Sequence, residues 1–293
     1  MISLINGKTN ILAVIGNPIS HSASPKMHNH IIDLLTINYT YIPLLIQSES
    51  YLKNFFDFVR QGNIKGVNVT IPYKEAVIPF LDEIDPGAEQ IAAVNTIVNE
   101  SGKLVGYNTD GAGFIIQLNQ RLSSSLKGKK VIMFGAGGSA KAISMSLLLT
   151  EISELIIVNR TESRAEKLKS KLYQVTDKVK IKKYAFNKIL DKQGYQDLKT
   201  ADIIINTTAI GLNSEASLLE DYSWISDKQL CCDIIYKPIE TFFLKEAKKK
   251  GANILEGSGM LAAQGALAFK KFTQIDKDIA WLYQEMKKVV DVI

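Results

Sequence analysis

Short apolar runs alternate with longer segments whose apolar residues recur every three or four positions. The runs predict buried strands and the longer segments predict amphipathic helices, because side chains repeat with periods of 2 in a strand and 3.6 in a helix. Such alternation favours an α/β fold with mainly parallel sheets. In the first part we predict strands at 11–15, 41–46 and 67–71, helices at 24–35, 51–61 and 86–94, and a hairpin of 96–98 with 104–107 turning at Ser101-Gly102.

The second part of the chain repeats this alternation. Two helices then close the chain, and the last has an amphipathic packing face. Its apolar residues are Ile279, Leu282, Tyr283, Met286, Val289 and Val290. The strands predicted in this part lie at 131–134, 156–159, 179–184, 203–206, 231–235 and 252–255.

A length of 293 residues suits two domains. We expect an N-terminal α/β substrate-binding and catalytic domain at 1–109, which the C-terminal helices at 258–293 pack back against and complete. A Rossmann-type dinucleotide-binding domain is expected at 110–257. The substrate would then bind in a cleft between the two domains.

Residues 131–164 carry the pattern of a dinucleotide-binding unit, a strand, a glycine turn, a helix and a second strand. Gly135 permits the tight turn, Gly137 lets the backbone approach a pyrophosphate, and Ala140 keeps the helix close to the sheet. The helix predicted from about Ser139 directs its N–H groups towards phosphate. A glycine turn that only packs a helix on a sheet is the structural alternative. The whole turn reads Gly135, Ala136, Gly137, Gly138, Ser139 and Ala140.

The end of the second strand in this unit indicates which dinucleotide binds. An NAD enzyme usually has an acidic residue here that binds the ribose hydroxyls. This chain instead has Asn159, Arg160 and Thr161, followed a turn later by Arg164. The two guanidinium groups suit the 2′-phosphate of NADP in charge and in fork geometry, so we predict NADP rather than NAD.

Composition narrows the range of partners. The formal charge of +5 comes from scattered lysines, and their few small clusters have no interleaved aromatic residues. We therefore expect no nucleic-acid partner and favour an anionic small molecule. No stretch reaches about 18 uncharged apolar residues and the N-terminus lacks a secretory signal, so we expect no membrane association and a cytoplasmic location. Cys231 and Cys232 are adjacent on a predicted strand, where their side chains face opposite ways, which predicts reduced core cysteines.

Four polar segments begin or follow apolar runs, and we expect them to gather at strand ends, where α/β sheets bind ligands. Among their residues Lys74 is the acid/base candidate, because a lysine near apolar surface and a cationic ring can release its proton near neutral pH. Asp110 is its natural partner. The structural alternatives are a solvated lysine paired with Glu75 and a helix-capping aspartate. The segments lie at 16–25, 66–75, 93–96 and 106–111.

Two other sets of polar residues have competing interpretations. Ser22 and Ser24 precede or begin a predicted helix and could donate to a carboxylate, although Ser24 could equally be only an N-cap. His21, His28 and His30 have no zinc-like spacing and no accompanying cysteine or acidic cluster, so we expect no catalytic metal.

Taken together, these motifs closely resemble the shikimate dehydrogenase family, whose members use NADPH to reduce 3-dehydroshikimate to shikimate on the route to chorismate and the aromatic amino acids. Residues 16–29 resemble the family's G-x-P-I-x-H-S-x-S-P-x-x-H-N opening, and residues 68–74 resemble its N-V-T-x-P-[FY]-K motif. The remaining matches follow in the family's order at 93–96, 106–111, 135–139, 159–164, 236–238 and 257–264.

The resemblance implies a role for each matched residue. Lys74 and Asp110 would form the catalytic pair beside the reacting oxygen, and Ser22, Ser24 and Tyr236 would bind the substrate carboxylate. The ring hydroxyls would be held by Asn68, Thr70, Asn95, Asp110 and Gln264. In the cofactor site, Gly135, Ala136, Gly137, Gly138 and Ser139 would bind the pyrophosphate, Asn159, Arg160, Thr161 and Arg164 the adenosine phosphate, and Ile234, Gly257 and Met260 the nicotinamide end.

Three positions depart from the family pattern and bear on nicotinamide affinity. They are the 207–212 segment, Ile234 in place of a methionine of some members, and Glu256 where aspartate is common. The nearest alternative is the quinate/shikimate dehydrogenase branch, which accepts quinate and often NAD. An alternative of another class is a non-catalytic NADP-sensing regulator, which would not need Lys74. Shikimate or 3-dehydroshikimate is the expected small-molecule partner, and we expect a monomer or homodimer.

Overall fold

The computed structural model describes residues 5–122, 125–212 and 215–292. The chain divides into two compact units, one formed by Met1–Gly113 with Leu261–Ile293 and the other by Phe114–Met260. Each unit is built around a six-stranded sheet. In the part of the chain that is described, no helix is long and apolar enough to span a bilayer.

The sheet of the first unit is mixed, with strand order β2-β1-β3-β5-β6-β4. β1 pairs in parallel with β2 and β3, whereas β5 is antiparallel to both β3 and β6. The expected parallel pairing holds among β1, β2 and β3 and between β4 and β6. The antiparallel pairs involve the predicted hairpin, whose short connection forces its two strands to run in opposite directions. The elements are β1 Asn10–Gly16, α1 Ser24–Leu35, β2 Tyr39–Leu45, α2 Leu52–Gln61, β3 Ile64–Val69, β4 Glu83–Ile84, α3 Pro86–Ile91, β5 Thr96–Glu100 and β6 Lys103–Tyr107.

The hairpin turns where the sequence predicted. Ser101 and Gly102 both have positive φ, 56° and 97°. Positive φ at both central residues is the geometry of a two-residue hairpin turn that matches strand twist. The turn brings β6 back along β5, so that Tyr107, beside the polar 108–110 segment, pairs with Thr96 at the start of β5.

The predicted helix at 86–94 is too long, since α3 ends at Ile91 and Ala92 adopts a left-handed φ of 53°. The backbone N–H of Val94 donates to Lys74 O at 2.7 Å, and that of Asn95 donates to Tyr107 O at 3.0 Å. These long-range bonds replace the bonds that would have continued the helix.

The second unit has a fully parallel sheet of order β12-β11-β10-β7-β8-β9. The order in which strands are added reverses between β7 and β10, although all the strands stay parallel. Ligands of open α/β sheets bind at the carboxyl ends of the strands at such a point. The elements are β7 Lys130–Phe134, α5 Gly138–Leu148, β8 Glu154–Asn159, α6 Glu162–Tyr173, β9 Lys180–Ala185, α7 Lys192–Thr200, β10 Ile203–Asn206, β11 Leu230–Asp233, α8 Phe242–Lys249 and β12 Asn253–Leu255.

Three further long helices belong to the fold. α4, Asp110–Arg121, continues from the first unit into the second, and α9, Gly257–Thr273, continues from the second into the first. α10, Ile279–Val290, packs against α1. The predicted packing face of α10 is confirmed, because its buried residues are Leu282, Tyr283, Met286 and Val290. Cys231 and Cys232 are buried and free.

Candidate active site

Lys74 and Asp110 form an ion pair in the first unit, with 2.6 Å between Nζ and Oδ2. Lys74 lies in the turns that follow β3, and Asp110 is the first residue of α4. Their side chains are 17% and 7% exposed, so the pair meets solvent mainly through the lysine. The second carboxylate oxygen of Asp110 accepts a hydrogen bond of 2.8 Å from Asn95 Nδ2. The aspartate is thus held on both oxygens.

Asn95 is the centre of the surrounding hydrogen-bond network. Its Oδ1 accepts from Thr109 N at 2.8 Å and from Thr96 Oγ1 at 2.9 Å. A backbone N–H can only donate, so the bond from Thr109 settles which side of the amide faces Asp110. Gln264 Oε1 lies 3.5 Å from Asn95 Nδ2. Thr96 and Thr109 were missing from the predicted site, although both stand in its motifs.

The parallel pairing of β1 and β3 explains why the segment with Ser22 and Ser24 begins at the same edge of the sheet as the segment that follows Asn68. Val14 pairs with Asn68 and Ile15 with Val69, so the segments after both strands emerge at the same edge of the sheet. β3 ends two residues before the predicted bound, and the N–H of Thr70, the next residue, donates to Ile15 O at 2.9 Å.

Ser22 and Ser24 lie at the start of α1. Ala23 occupies the N-cap position and Ser24 is the first helical residue. The alternative that Ser24 is only an N-cap is therefore wrong. Ser22 Oγ accepts a hydrogen bond of 3.3 Å from Ser24 N, which keeps the two hydroxyl groups close together. Ser24 is buried and Ser22 is half-buried.

The first unit therefore contains all but one of the residues predicted to bind substrate. The remaining one, Tyr236, belongs to the second unit, three residues after β11. Hydrogen bonds join Asn68, Asn95, Asp110 and Lys74 in one series, since Asn68 Nδ2 donates to Asn95 O at 3.1 Å. This arrangement can orient a hydroxylated ligand and place a cationic proton donor next to it.

The glycine turn of the second unit has the geometry that a dinucleotide requires. Gly135 has φ of +114°, and an added Cβ would lie 2.3 Å from Thr207 Oγ1. Nothing lies within 4 Å of a Cβ added at Gly137, so that backbone is open to close approach. In the described part of the chain no side chain caps α5, whose first residue is Gly138. Its N-terminal N–H groups can therefore bind a pyrophosphate.

The arginines predicted to bind the 2′-phosphate are exposed beside the end of β8. Across the described ranges, neither Arg160 nor Arg164 is in an ion pair. Two acidic residues of α6, the helix that contains Arg164, are paired with a lysine. Lys183 Nζ lies 2.9 Å from Glu162 Oε1 and 2.8 Å from Glu166 Oε2. The two guanidinium groups are thus available to an anion.

Two residues predicted at the nicotinamide end lie next to each other. A Cβ added at Gly257 would lie 2.3 Å from Ile234 O, so only glycine allows this approach.

The residue before Ile234 is a buried aspartate. Asp233 accepts hydrogen bonds from Asn206 Nδ2 at 2.9 Å, Thr241 Oγ1 at 2.8 Å and Ile235 N at 3.0 Å. This buried carboxylate joins the last residue of β10 and the segment that follows β11 to the N-cap of α8.

Burial raises the pKa of Asp233 to about 6, against the effect of its three hydrogen-bond donors. Folding therefore favours the protonated form, and the stability that this group contributes falls as pH rises from about 4 to about 6. The side chain introduced by Asp233→Asn cannot ionise, so the stability of the variant lacks this pH dependence. The free energy of unfolding of the variant minus that of the wild type should therefore increase by up to about 3 kcal/mol as pH rises across this interval. Urea denaturation at several pH values measures the difference, and a difference independent of pH would contradict the prediction.

The histidines do not form a group. His28 is fully buried, and desolvation lowers its pKa to about 3. His30 Nε2 lies 3.7 Å from Glu285, and His21 is exposed. Within the residues that the structure describes, no cluster of three histidine, cysteine or acidic side chains could hold a metal ion.

Comparisons with known proteins indicate one family over most of the chain. The family model described as shikimate dehydrogenase substrate binding domain matches residues 14–97, and that described as shikimate / quinate 5-dehydrogenase matches residues 117–221. A shikimate dehydrogenase (NADP(+)) of Methanosphaera stadtmanae is 43% identical over 92% of this chain and 93% of its own length.

Solved structures agree with the sequence relatives. A shikimate dehydrogenase in complex with NADP+ is 36% identical, with a TM-score of 0.88 over 100% of this chain and 98% of that one. A shikimate 5-dehydrogenase from Listeria monocytogenes, in complex with shikimate and NAD, is 32% identical, with a TM-score of 0.87 over 96% of this chain and 97% of that one.

Proposed function

We propose, from the premise that this chain belongs to the shikimate dehydrogenase family, that it catalyses the reversible NADPH-dependent reduction of 3-dehydroshikimate to shikimate. The chain is an oxidoreductase that acts on a CH–OH group and uses NADP. The observation that carries the assignment is the Lys74–Asp110 pair, held by Asn95 within the matched substrate-binding region and the segment that follows it.

The residues of the first unit can perform the proton transfer. Lys74 Nζ would donate a proton to the substrate oxygen as that oxygen gains charge, and would take it back in shikimate oxidation. Asp110 keeps the ammonium group in place and can accept from a substrate hydroxyl. Asn95 prevents the carboxylate from rotating, because it binds the other oxygen. The pair is therefore organised before the substrate arrives.

NADPH, when bound, supplies the hydride. We propose that the 135–139 turn and the N-terminus of α5 bind its pyrophosphate, and that Asn159, Arg160, Thr161 and Arg164 bind the adenosine phosphate. The nicotinamide end of the cofactor would be bound by Ile234, Gly257 and Met260. The open backbone at Gly137 and the available arginines support this assignment.

Steady-state assays with four combinations, shikimate or quinate with NADP or NAD, test the function directly. The expected result is efficient NADP reduction with shikimate and little activity with quinate. Comparable use of quinate or NAD would place the chain in the quinate/shikimate branch. NADP binding without turnover of either substrate would favour the sensing protein.

Ser22→Ala and Ser24→Ala are expected chiefly to raise the KM for shikimate, because each removes a donor to the substrate carboxylate. A hydrogen bond to a charged group contributes ~1.5 to 3 kcal/mol, so KM should rise roughly tenfold or more. Ser125→Ala, which removes an exposed hydroxyl in the second unit, is a matched control. Unchanged affinity in both variants, with the fold intact, would rule out this carboxylate site.

We also propose a cytoplasmic protein that acts as a monomer or homodimer. Cell fractionation tests the first part. Sedimentation at several protein concentrations, with and without NADP, tests the second.

A further inference from the structure

The His28-Asn29 pair closes the opening motif, but neither residue has a proposed role in binding. The His28 ring stacks on the ring of Tyr41, with 4.2 Å between centroids and 7° between planes. Asn29 binds the backbone of the same tyrosine, since its Nδ2 donates to Tyr41 O at 2.8 Å and its Oδ1 accepts from Tyr41 N at 2.9 Å. Both residues of the pair therefore hold Tyr41 in place.

The Tyr41 hydroxyl connects two proposed substrate-binding residues. Tyr41 lies on β2 and is only 1% exposed. Its hydroxyl donates to Asn68 Oδ1 at 2.8 Å, and the Ser24 side chain lies close enough to interact with the same oxygen. Burial raises the pKa of this phenol, so it remains a neutral group that both donates and accepts. One buried oxygen thus links the start of α1 to β3.

The orientation of the Asn68 amide determines which of its atoms faces the Tyr41 hydroxyl. Its Nδ2 donates to Asn95 O at 3.1 Å and to Thr96 Oγ1 at 3.2 Å, so its Oδ1 must face Tyr41. A hydroxyl group rotates about its C–O bond, and Tyr41 can donate either to Asn68 or to Ser24. When Ser24 donates to an anionic ligand, Tyr41 can donate to Ser24 and leave Asn68 Oδ1 to accept from a ligand hydroxyl.

We propose that Tyr41 is the positioning residue that aligns Ser24 and Asn68 for a substrate carrying both a carboxylate and ring hydroxyls. This inference rests on the proposed function, which assigns those two residues to the substrate. Tyr41 acts through them and does not itself touch the ligand, since it is buried. His28 fixes the position of its ring, and Asn29 fixes its backbone.

Tyr41→Phe tests the proposal, because it keeps the ring that stacks on His28 and removes only the hydroxyl. The KM for shikimate should rise about tenfold, with kcat changed by less than about threefold and the KM for NADP unchanged. Tyr73→Phe is the matched control. Tyr73 is also buried, its hydroxyl donates to the Ile46 carbonyl at 2.7 Å, and the family motif accepts phenylalanine at this position.

A double-mutant cycle with Ser24→Ala separates positioning from general stabilisation. If Tyr41 acts through Ser24, Tyr41→Phe should raise KM clearly less in the Ser24→Ala background than in the wild type. Equal increases in both backgrounds, or the same KM in Tyr41→Phe and Tyr73→Phe, would overturn the inference.

A second variant, Asn29→Asp, removes the donor to the Tyr41 carbonyl without altering Ser24 or Asn68. It should raise the KM for shikimate in the same direction by a smaller factor, and an unchanged value would count against the inference. Failure of the proposed function gives a different result, since the wild type itself would then neither bind nor oxidise shikimate.

Discussion

Lys74→Ala is expected to lower turnover by at least about 100-fold, the low end for a positioned acid or base, with NADP affinity nearly unchanged. The lysine contact with the substrate oxygen strengthens as charge develops there, so the loss should appear in kcat. A lysine that only bound the substrate would instead raise KM at constant turnover. Steady-state rates of the variant and the wild type across pH distinguish the two roles.

Two further variants strengthen this experiment. Lys74→Ala leaves the buried Asp110 carboxylate without its cation, so thermal denaturation must accompany the kinetics. Lys74→Met keeps most of the side-chain volume and should lose as much activity. Lys65→Ala removes a half-buried lysine of β3 outside the proposed machinery and serves as the control. Full turnover in Lys74→Ala would remove Lys74 from the mechanism.

Replacing both Arg160 and Arg164 by leucine should reduce the preference for NADP over NAD by one to several decades. Each charge-assisted contact with the 2′-phosphate contributes ~1.5 to 3 kcal/mol, and NAD has no such phosphate. The loss should therefore appear in NADP affinity alone. It should also shrink as ionic strength rises, because salt screens exposed charges. The ratio of kcat/KM for the two cofactors at low and high salt measures both effects.

The control for this variant keeps the same change in net charge. Lys167 and Lys178 are exposed residues of the same unit, and their double replacement by leucine should leave the cofactor ratio unchanged. If the arginine and lysine double variants behaved alike, the preference would reflect overall charge. An unaltered ratio in the arginine variant would show that other residues select the cofactor.

Local patterns determined much of the fold and of the site. The Rossmann-type unit, the Ser101-Gly102 hairpin and the packing face of α10 were all predicted from periodicity and turn residues. These features depend on neighbours close in sequence, so the chain itself specifies them. The sequence predicted Lys74 and Asp110 to be partners, and the structure places Lys74 Nζ 2.6 Å from Asp110 Oδ2. Their catalytic roles remain a prediction.

Only the tertiary structure decided where some elements end. The early ends of β3 and α3 and the mixed pairing in the first sheet follow from hydrogen bonds between distant segments, such as Val94 N to Lys74 O. Periodicity carries no information about such partners, because it describes one segment at a time.

The amino-acid sequence by itself indicated the family and the NADP cofactor and led to most of the proposed site residues, because glycine turns and polar motifs can be recognised from residues that are close in sequence. It did not indicate that His28 and Asn29 hold Tyr41, or that burial raises the pKa of Asp233 to about 6. Both results depend on which distant groups surround a side chain and how far they exclude water. A hydrogen bond or a desolvation energy is a property of that environment, and only the folded chain creates it.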